Sequence, residues 1–213
     1  MAVLHVNPTR MELTQIKRRL VTARRGHKLL KDKRDELVRQ FMKLVRENLR
    51  LRKQVEEELS LALRDFALAG AVMEPGALRQ ALLYPARQAG IKVGRRNILS
   101  VRVPEFTVDE GSLGEAVLPY GMAETSAQLD NAIATMAQAL PHLIALAEKE
   151  KTVSLLADEI QKTRRRVNAL EYVMIPQFEE TIRYITMKLE ENERSALIRL
   201  MKVKEMIAER TAQ

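Results

Sequence analysis

Apolar side chains recur at steps of three and four through the first third of the chain. Leu13, Ile16, Leu20, Ala23, His27, Leu30, Arg34, Leu37, Phe41, Leu44, Asn48, Leu51 and Val55 hold that spacing without a break, and ten of the thirteen are apolar. A repeat averaging 3.5 residues keeps one stripe of a helix turned toward a partner helix, and its persistence over about six heptads predicts a coiled coil. Two start signals compete. Asn7-Pro8 offers a cap followed by a proline at the first helical position, whereas Thr9 with Glu12 offers a capping box. From there to about Phe66 no proline intervenes, and Gly26 is the one glycine. A helix of ~55–60 residues would be ~85 Å long at 1.5 Å per residue. A helix of that length cannot close a core by itself and requires a partner of similar length.

The second arm supplies one, from about Ser126 toward Ala208. Val153, Leu156, Ile160, Thr163, Val167, Leu170 and Met174 repeat the spacing. Phe178 and Ile182 follow at consecutive steps of four, and Ile185, Leu189, Asn192, Ala196, Leu200, Val203 and Ile207 continue it. Extra steps of four act as stutters that unwind a left-handed supercoil locally. Pro176 removes a helical hydrogen bond and predicts a kink, and Pro141 is a second candidate. Six of the eight glycines lie between Gly76 and Gly121, with Pro75, Pro85, Pro104 and Pro119 within or beside the same stretch. These residues punctuate turns. The reading divides the chain into a first shaft helix at 7–70, a middle segment at 71–125 and a second shaft helix at 126–210.

Two arms joined by a short middle run antiparallel. The expected seam comprises Leu13, Ile16, Leu20, Leu30, Leu37, Phe41, Leu44, Leu51, Val55, Ile160, Val167, Leu170, Ile182 and Leu189. Within the middle, Asn97 to Val103 reads as a strand and Phe106-Thr107-Val108 as a second short one, with Pro104 at an edge or bend. Ala77 to Leu83 reads as a short helix. Arg34 and Asn48 are polar residues on the seam. Either they fix register at a cost in stability, or the helices splay there and the side chains reach outward.

Composition fits this picture. Hydrophobic residues make up 46% of the chain but aromatics only 4%, so the core is aliphatic. The absence of cysteine excludes a disulfide framework, a Cys-based metal site and a thiol nucleophile. No apolar run reaches 18 residues, and the first residues predict no signal peptide. His5, His27 and His142 are far apart, and no metal-ligand spacing, phosphate loop or nucleophile elbow occurs. The expectation is no catalytic, cofactor-binding or metal-binding residue. The net charge is +8, and from Arg10 to Arg34 ten Lys/Arg face two acids, Glu12 and Asp32. Such a local excess points to an acidic partner. The clusters Lys17-Arg18-Arg19, Arg24-Arg25 and Arg164-Arg165-Arg166 lack aromatic stacking residues. A solvated helix face or a dock for acidic protein loops explains them better than nucleic acid does.

Four separated stretches carry a resemblance. Asn7-Pro8-Thr9-Arg10-Met11-Glu12-Leu13 opens the chain. Gly26 to Leu37 holds the pattern G-x-x-L-L-K-x-K-R-D-x-L. Thr163-Arg164-Arg165-Arg166-Val167-Asn168-Ala169-Leu170-Glu171 precedes Ile175-Pro176, and Leu189 to Arg194 lies beyond it. In these motifs, Arg164 to Arg166 and Asn168 included, the chain resembles the D subunit of V-type and archaeal A-type ATPases, and most of all that of bacterial V-type enzymes. The resemblance implies a non-catalytic rotor shaft without a cofactor, its paired termini inside a head of alternating A and B subunits. It further implies an F subunit alongside, a connector subunit (C or d) at the opposite end, a β-hairpin in the middle segment, and a cytoplasmic place peripheral to the membrane. Arg10, Lys17, Arg18, Arg24, Arg25, Lys28 and Arg34 become candidates for contact with the head. A prefoldin-like chaperone or scaffold protein, also an antiparallel coiled coil joined through β-hairpins, is the alternative.

Overall fold

The computed structural model describes residues 4, 6–83, 90–108, 120–121 and 125–211. Helix α1 spans Arg10–Val72 and the short α2 Pro75–Ala81. Strands β1 and β2 cover Ile91–Ile98 and Val101–Val108. Helix α3 spans Ala127–Ala169, a π-turn occupies Leu170–Met174, and α4 runs over Ile175–Thr211. The fold is mainly α, with the long N- and C-terminal helices packed together and a small hairpin in the middle. The chain divides into two compact units, one of residues Met1–Asp35 with Gln161–Gln213 and one of Glu36–Ile160.

In the first unit the start of α1 is decided by Thr9, whose Oγ1 accepts a hydrogen bond from the Glu12 N–H at 3.2 Å. Thr9 is therefore the cap, and Pro8 stands outside the helix rather than at its first position. Ile16, Phe178 and Ile185 are buried together, with Leu13, Leu20, Ala23, Ile182 and Leu189 around them. Thr181 is buried beside them. Its hydroxyl donates to the Gln177 carbonyl at 2.7 Å and accepts from the Leu4 N–H at 3.2 Å, which ties the N-terminal segment to α4.

The π-turn explains the stutter. Pro176 has no N–H, and in an α-helix its ring would strike the carbonyl four residues earlier. One wide turn just ahead of it, closed by the Ile175 N–H donating to the Leu170 carbonyl, accommodates the proline. The extra residue also shifts the apolar face, so Met174 is 41% exposed instead of continuing the seam.

In the second unit Leu37, Val101, Val103 and Leu156 form one core, flanked by Phe41, Leu44, Ile98, Leu155 and Ile160. A second core joins Ala69, Met73, Ala81 and Leu129. Helix α1 stops at Val72, just before Pro75 disfavours a helical residue ahead of it. Pro75 then opens α2, two residues earlier than the apolar pattern indicates.

The hairpin corrects the strand boundaries. Asn97 to Val103 is not one strand. It contains the turn, with Asn97 and Ile98 ending β1 opposite Arg102 and Val101 of β2. Leu99 (φ 50°) and Ser100 (φ 73°) form the two-residue link. Positive φ at both central positions is what a tight hairpin demands. Val101 and Val103 point to the core while Arg102 between them is exposed. Pro104 lies within β2 opposite Arg95, in a two-stranded sheet where every strand is an edge. The Phe106 N–H donates to the Glu148 carboxylate of α3 at 2.9 Å and pins β2 to the helix.

Candidate functional site

The features that set this chain apart are the lines along which its helices meet, so each predicted residue is placed by what it faces. Of the expected seam, Ile16, Leu37, Val55 and Val167 are buried; Leu13, Leu20, Leu30, Phe41, Leu44, Leu51, Ile160, Leu170, Ile182 and Leu189 are half-buried. In the first unit two ion pairs and a histidine–carboxylate contact flank that seam in antiparallel order: Arg10 with Glu193, Arg24 with Glu179 at 2.6 Å, and His27 with Glu171 at 3.3 Å. In the second unit Glu47 meets Lys149 at 3.0 Å and Glu58 meets His142 at 2.9 Å. The exposed ion pairs of the first unit contribute little energy each, about 0–1 kcal/mol, but they disfavour a slipped register.

The candidate head-contact residues separate into two groups. Arg10 and Arg24 are committed to carboxylates of α4, and Arg34 turns to its neighbour Asp35 at 2.7 Å. Arg34 is half-buried and pairs with its neighbour on α1, not with a carboxylate of the other arm among the described residues. Lys17, Arg18, Arg25 and Lys28 are exposed and make no ion pair among the described residues. Arg164, Arg165, Arg166 and Asn168 are likewise exposed. Asn48 is half-buried, and its Oδ1 is buried without a hydrogen-bond partner among the described residues.

In the sequence His142 is marked only by following Pro141. Its partner, Glu58, lies on the other arm, so the pairing has no local signal. Glu58 is held below the usual carboxylate range, first by Gln54, whose amide donates at 3.0 Å, and then by His142. His5 lies outside the described residues. Among the described residues no group of three or more His, Asp or Glu is placed to hold a metal, and no helix is long and apolar enough to cross a membrane.

Sequence spacing misses the end of α4. The seam drawn through Leu200, Val203 and Ile207 stops near Leu189, and those three residues are 66%, 45% and 57% exposed. The cause is the start of α1 at Arg10, opposite Glu193, which leaves the later turns of α4 with no α1 residue to face. Leu197, Ile198 and Met201 are exposed with them. A basic stretch of α1 and an apolar end of α4 thus belong to the same unit. An apolar end is the property expected of a chaperone arm, so that feature does not separate the two rival readings.

Long helices joined face to face by aliphatic cores and flanking ion pairs define a coiled-coil protein. The family model for the D subunit of ATP synthases matches residues 12–205. The chain is 55% identical over 207 residues to the V-type ATP synthase D subunit of a Thermoanaerobacter species, covering 97% of this chain and 99% of that one. It is 56% identical over 210 residues to the corresponding V-type D subunit of Acetivibrio thermocellus, covering 98% and 95%. With that of Clostridium novyi it shares 57% identity over 213 residues, covering 97% of each. The chain belongs to the family of ATP synthase D subunits.

Proposed function

We propose that the chain transmits torque in a V-type ATPase as its non-catalytic central-stalk rotor. Membership of the D-subunit family carries this reading, and the antiparallel pairing of its long helices supports it. Catalysis belongs to other subunits of such a complex; this chain contributes stiffness and an uneven surface. Two packed helices resist bending more than one. The π-turn at Leu170–Met174 makes one side of the first unit unlike the others, so that sites around it meet different faces at any instant.

The core subunits of the ATPase are its partners. More narrowly, the A and B subunits of the head receive the unit that holds both termini, with the F subunit alongside and a connector of the C or d type beyond the middle segment. On this reading residues 7–70 and 126–210 are the shaft, residues 71–125 form the middle segment, and the whole is cytoplasmic and peripheral to the membrane. Lys17, Arg18, Arg25 and Lys28, which make no ion pair among the described residues, are the cations available to acidic loops of the head. Attraction between charges at such a surface acts within about 8–10 Å at physiological salt, so it strengthens near contact without demanding one fixed geometry. The exposed apolar side chains near the end of α4, Leu197, Ile198, Leu200 and Met201 among them, add an apolar surface.

A tagged full-length chain, expressed beside the other subunits, should co-purify with the nucleotide-binding hexamer and with the F subunit. Recovery of the chain alone, or with an unfolded client protein, would exclude the rotor role and return the chaperone alternative.

A further inference from the structure

Gly26 is the only glycine in the first sixty residues, and no contact among the described residues requires it. It sits inside α1, where glycine costs ~0.8–1 kcal/mol relative to alanine. No glycine of the described residues has positive φ, and a Cβ built on Gly26 would meet no atom within 4 Å. A groove of about 670 Å³, open to solvent, lies beside Gly26. Ala23, Gly26, Leu170 and Phe178 line it on its apolar side. The π-turn contributes Leu170 and Met174, the latter 41% exposed. Arg18 and Arg19 stand at its rim, both exposed and neither in an ion pair among the described residues. No carboxylate of those residues lines the groove.

We propose that this groove, between α1 at Gly26 and the π-turn at Leu170–Met174, receives an apolar side chain from a loop of the A or B subunits whose flanking carboxylates meet Arg18 and Arg19. The inference rests on the rotor reading and adds to it a place and a chemistry of contact. An apolar occupant follows from the lining. The acidic flanks follow from two rim cations, neither paired among the described residues, in a segment where Lys and Arg outnumber acids ten to two. A loop carrying both features satisfies the groove and its rim together. A purely acidic loop would leave Leu170 and Met174 exposed to water.

The test uses the space itself. Gly26→Leu projects an apolar side chain into the groove, and by replacing a helix-interior glycine it should melt no lower than the parent chain. Gly26→Ala gives the same helix benefit with the groove still open. Each full-length chain is titrated against the purified A/B hexamer. The expected result is that Gly26→Ala binds like the parent, while Gly26→Leu binds roughly tenfold or more weakly, the loss of one buried apolar side chain. The double variant Arg18→Glu/Arg19→Glu should also bind more weakly and lose part of its salt dependence. Because the chain has no cysteine, Thr22→Cys can carry a single photo-crosslinker at the groove mouth. It should capture an A or B peptide in which an apolar residue adjoins carboxylates. Equal affinity of Gly26→Leu and the parent, or capture of the F subunit, a second copy or a peptide without carboxylates, overturns the proposal. A parent chain that does not bind the hexamer at all overturns the rotor reading along with it.

Discussion

A residue's burial decides what its loss costs. Leu37 has no exposed surface and touches the Val101–Val103 strand and Leu156 at once. Leu37→Ala removes that packing and leaves a cavity, so it should lower unfolding free energy by about 2–5 kcal/mol. Leu29, on the same helix but 68% exposed, should change it by no more than about 0.5 kcal/mol as Leu29→Ala. Denaturant midpoints of the two variants measure the contrast; equal losses would contradict the seam. Glu58 offers a titration. Its folded-state pKa is lowered, by Gln54 first and His142 second. A carboxylate of that kind lends stability above its unfolded pKa and withdraws it as pH falls through its folded value. Gln54→Ala should raise the Glu58 pKa toward the ordinary carboxylate range and reduce the acid-side loss of stability. Carboxyl NMR across the acid range reads both, and an unmoved Glu58 would contradict the assignment. Asn48 is the seam polar whose role is now physical. Its Oδ1 is buried and has no partner among the described residues, so Asn48→Leu should be neutral or stabilising to unfolding.

Elements are legible in the sequence to the degree that a period or a special residue announces them. The 3,4 spacing of Leu13 to Val55 marks α1, and the same spacing with its stutter marks the second arm, because burial on one stripe leaves a repeat in the sequence. The stutter is visible while its cause is not. A π-turn follows from Pro176 only once the neighbouring helix holds both sides of it in place. The hairpin is obscure for the opposite reason. A tight link between strands usually carries Asn-Gly, and here it carries Leu99-Ser100, two residues poorly suited to positive φ. Val101 and Val103 bury against α1 and α3 strongly enough to impose the turn. Leu99→Asn with Ser100→Gly should therefore stabilise the second unit, by roughly 1–2 kcal/mol on the cost of left-handed backbone for ordinary residues. A melting temperature unchanged or lowered would contradict the turn as described. The groove at Gly26 and the pairing of His142 with Glu58 have no local signal at all. Both depend on which residue of one arm lies opposite which residue of the other.

At the scale of the whole molecule, a chain of the D-subunit family acts by moving relative to other subunits, and its side chains take part as surface and stiffness. Its basic stretch is carried by α1 alone, whereas the exposure of the apolar α4 end and the uneven π-turn face are properties of the folded pair. The most direct measurement is single-molecule rotation of the assembled ATPase. The head is fixed to a support, and a bead is attached through a cysteine introduced on the exposed strand β1, in a chain that otherwise has none. With ATP the bead should turn continuously in one direction, and without ATP it should stop. A bead that stays fixed while the same complexes hydrolyse ATP would contradict the rotor account.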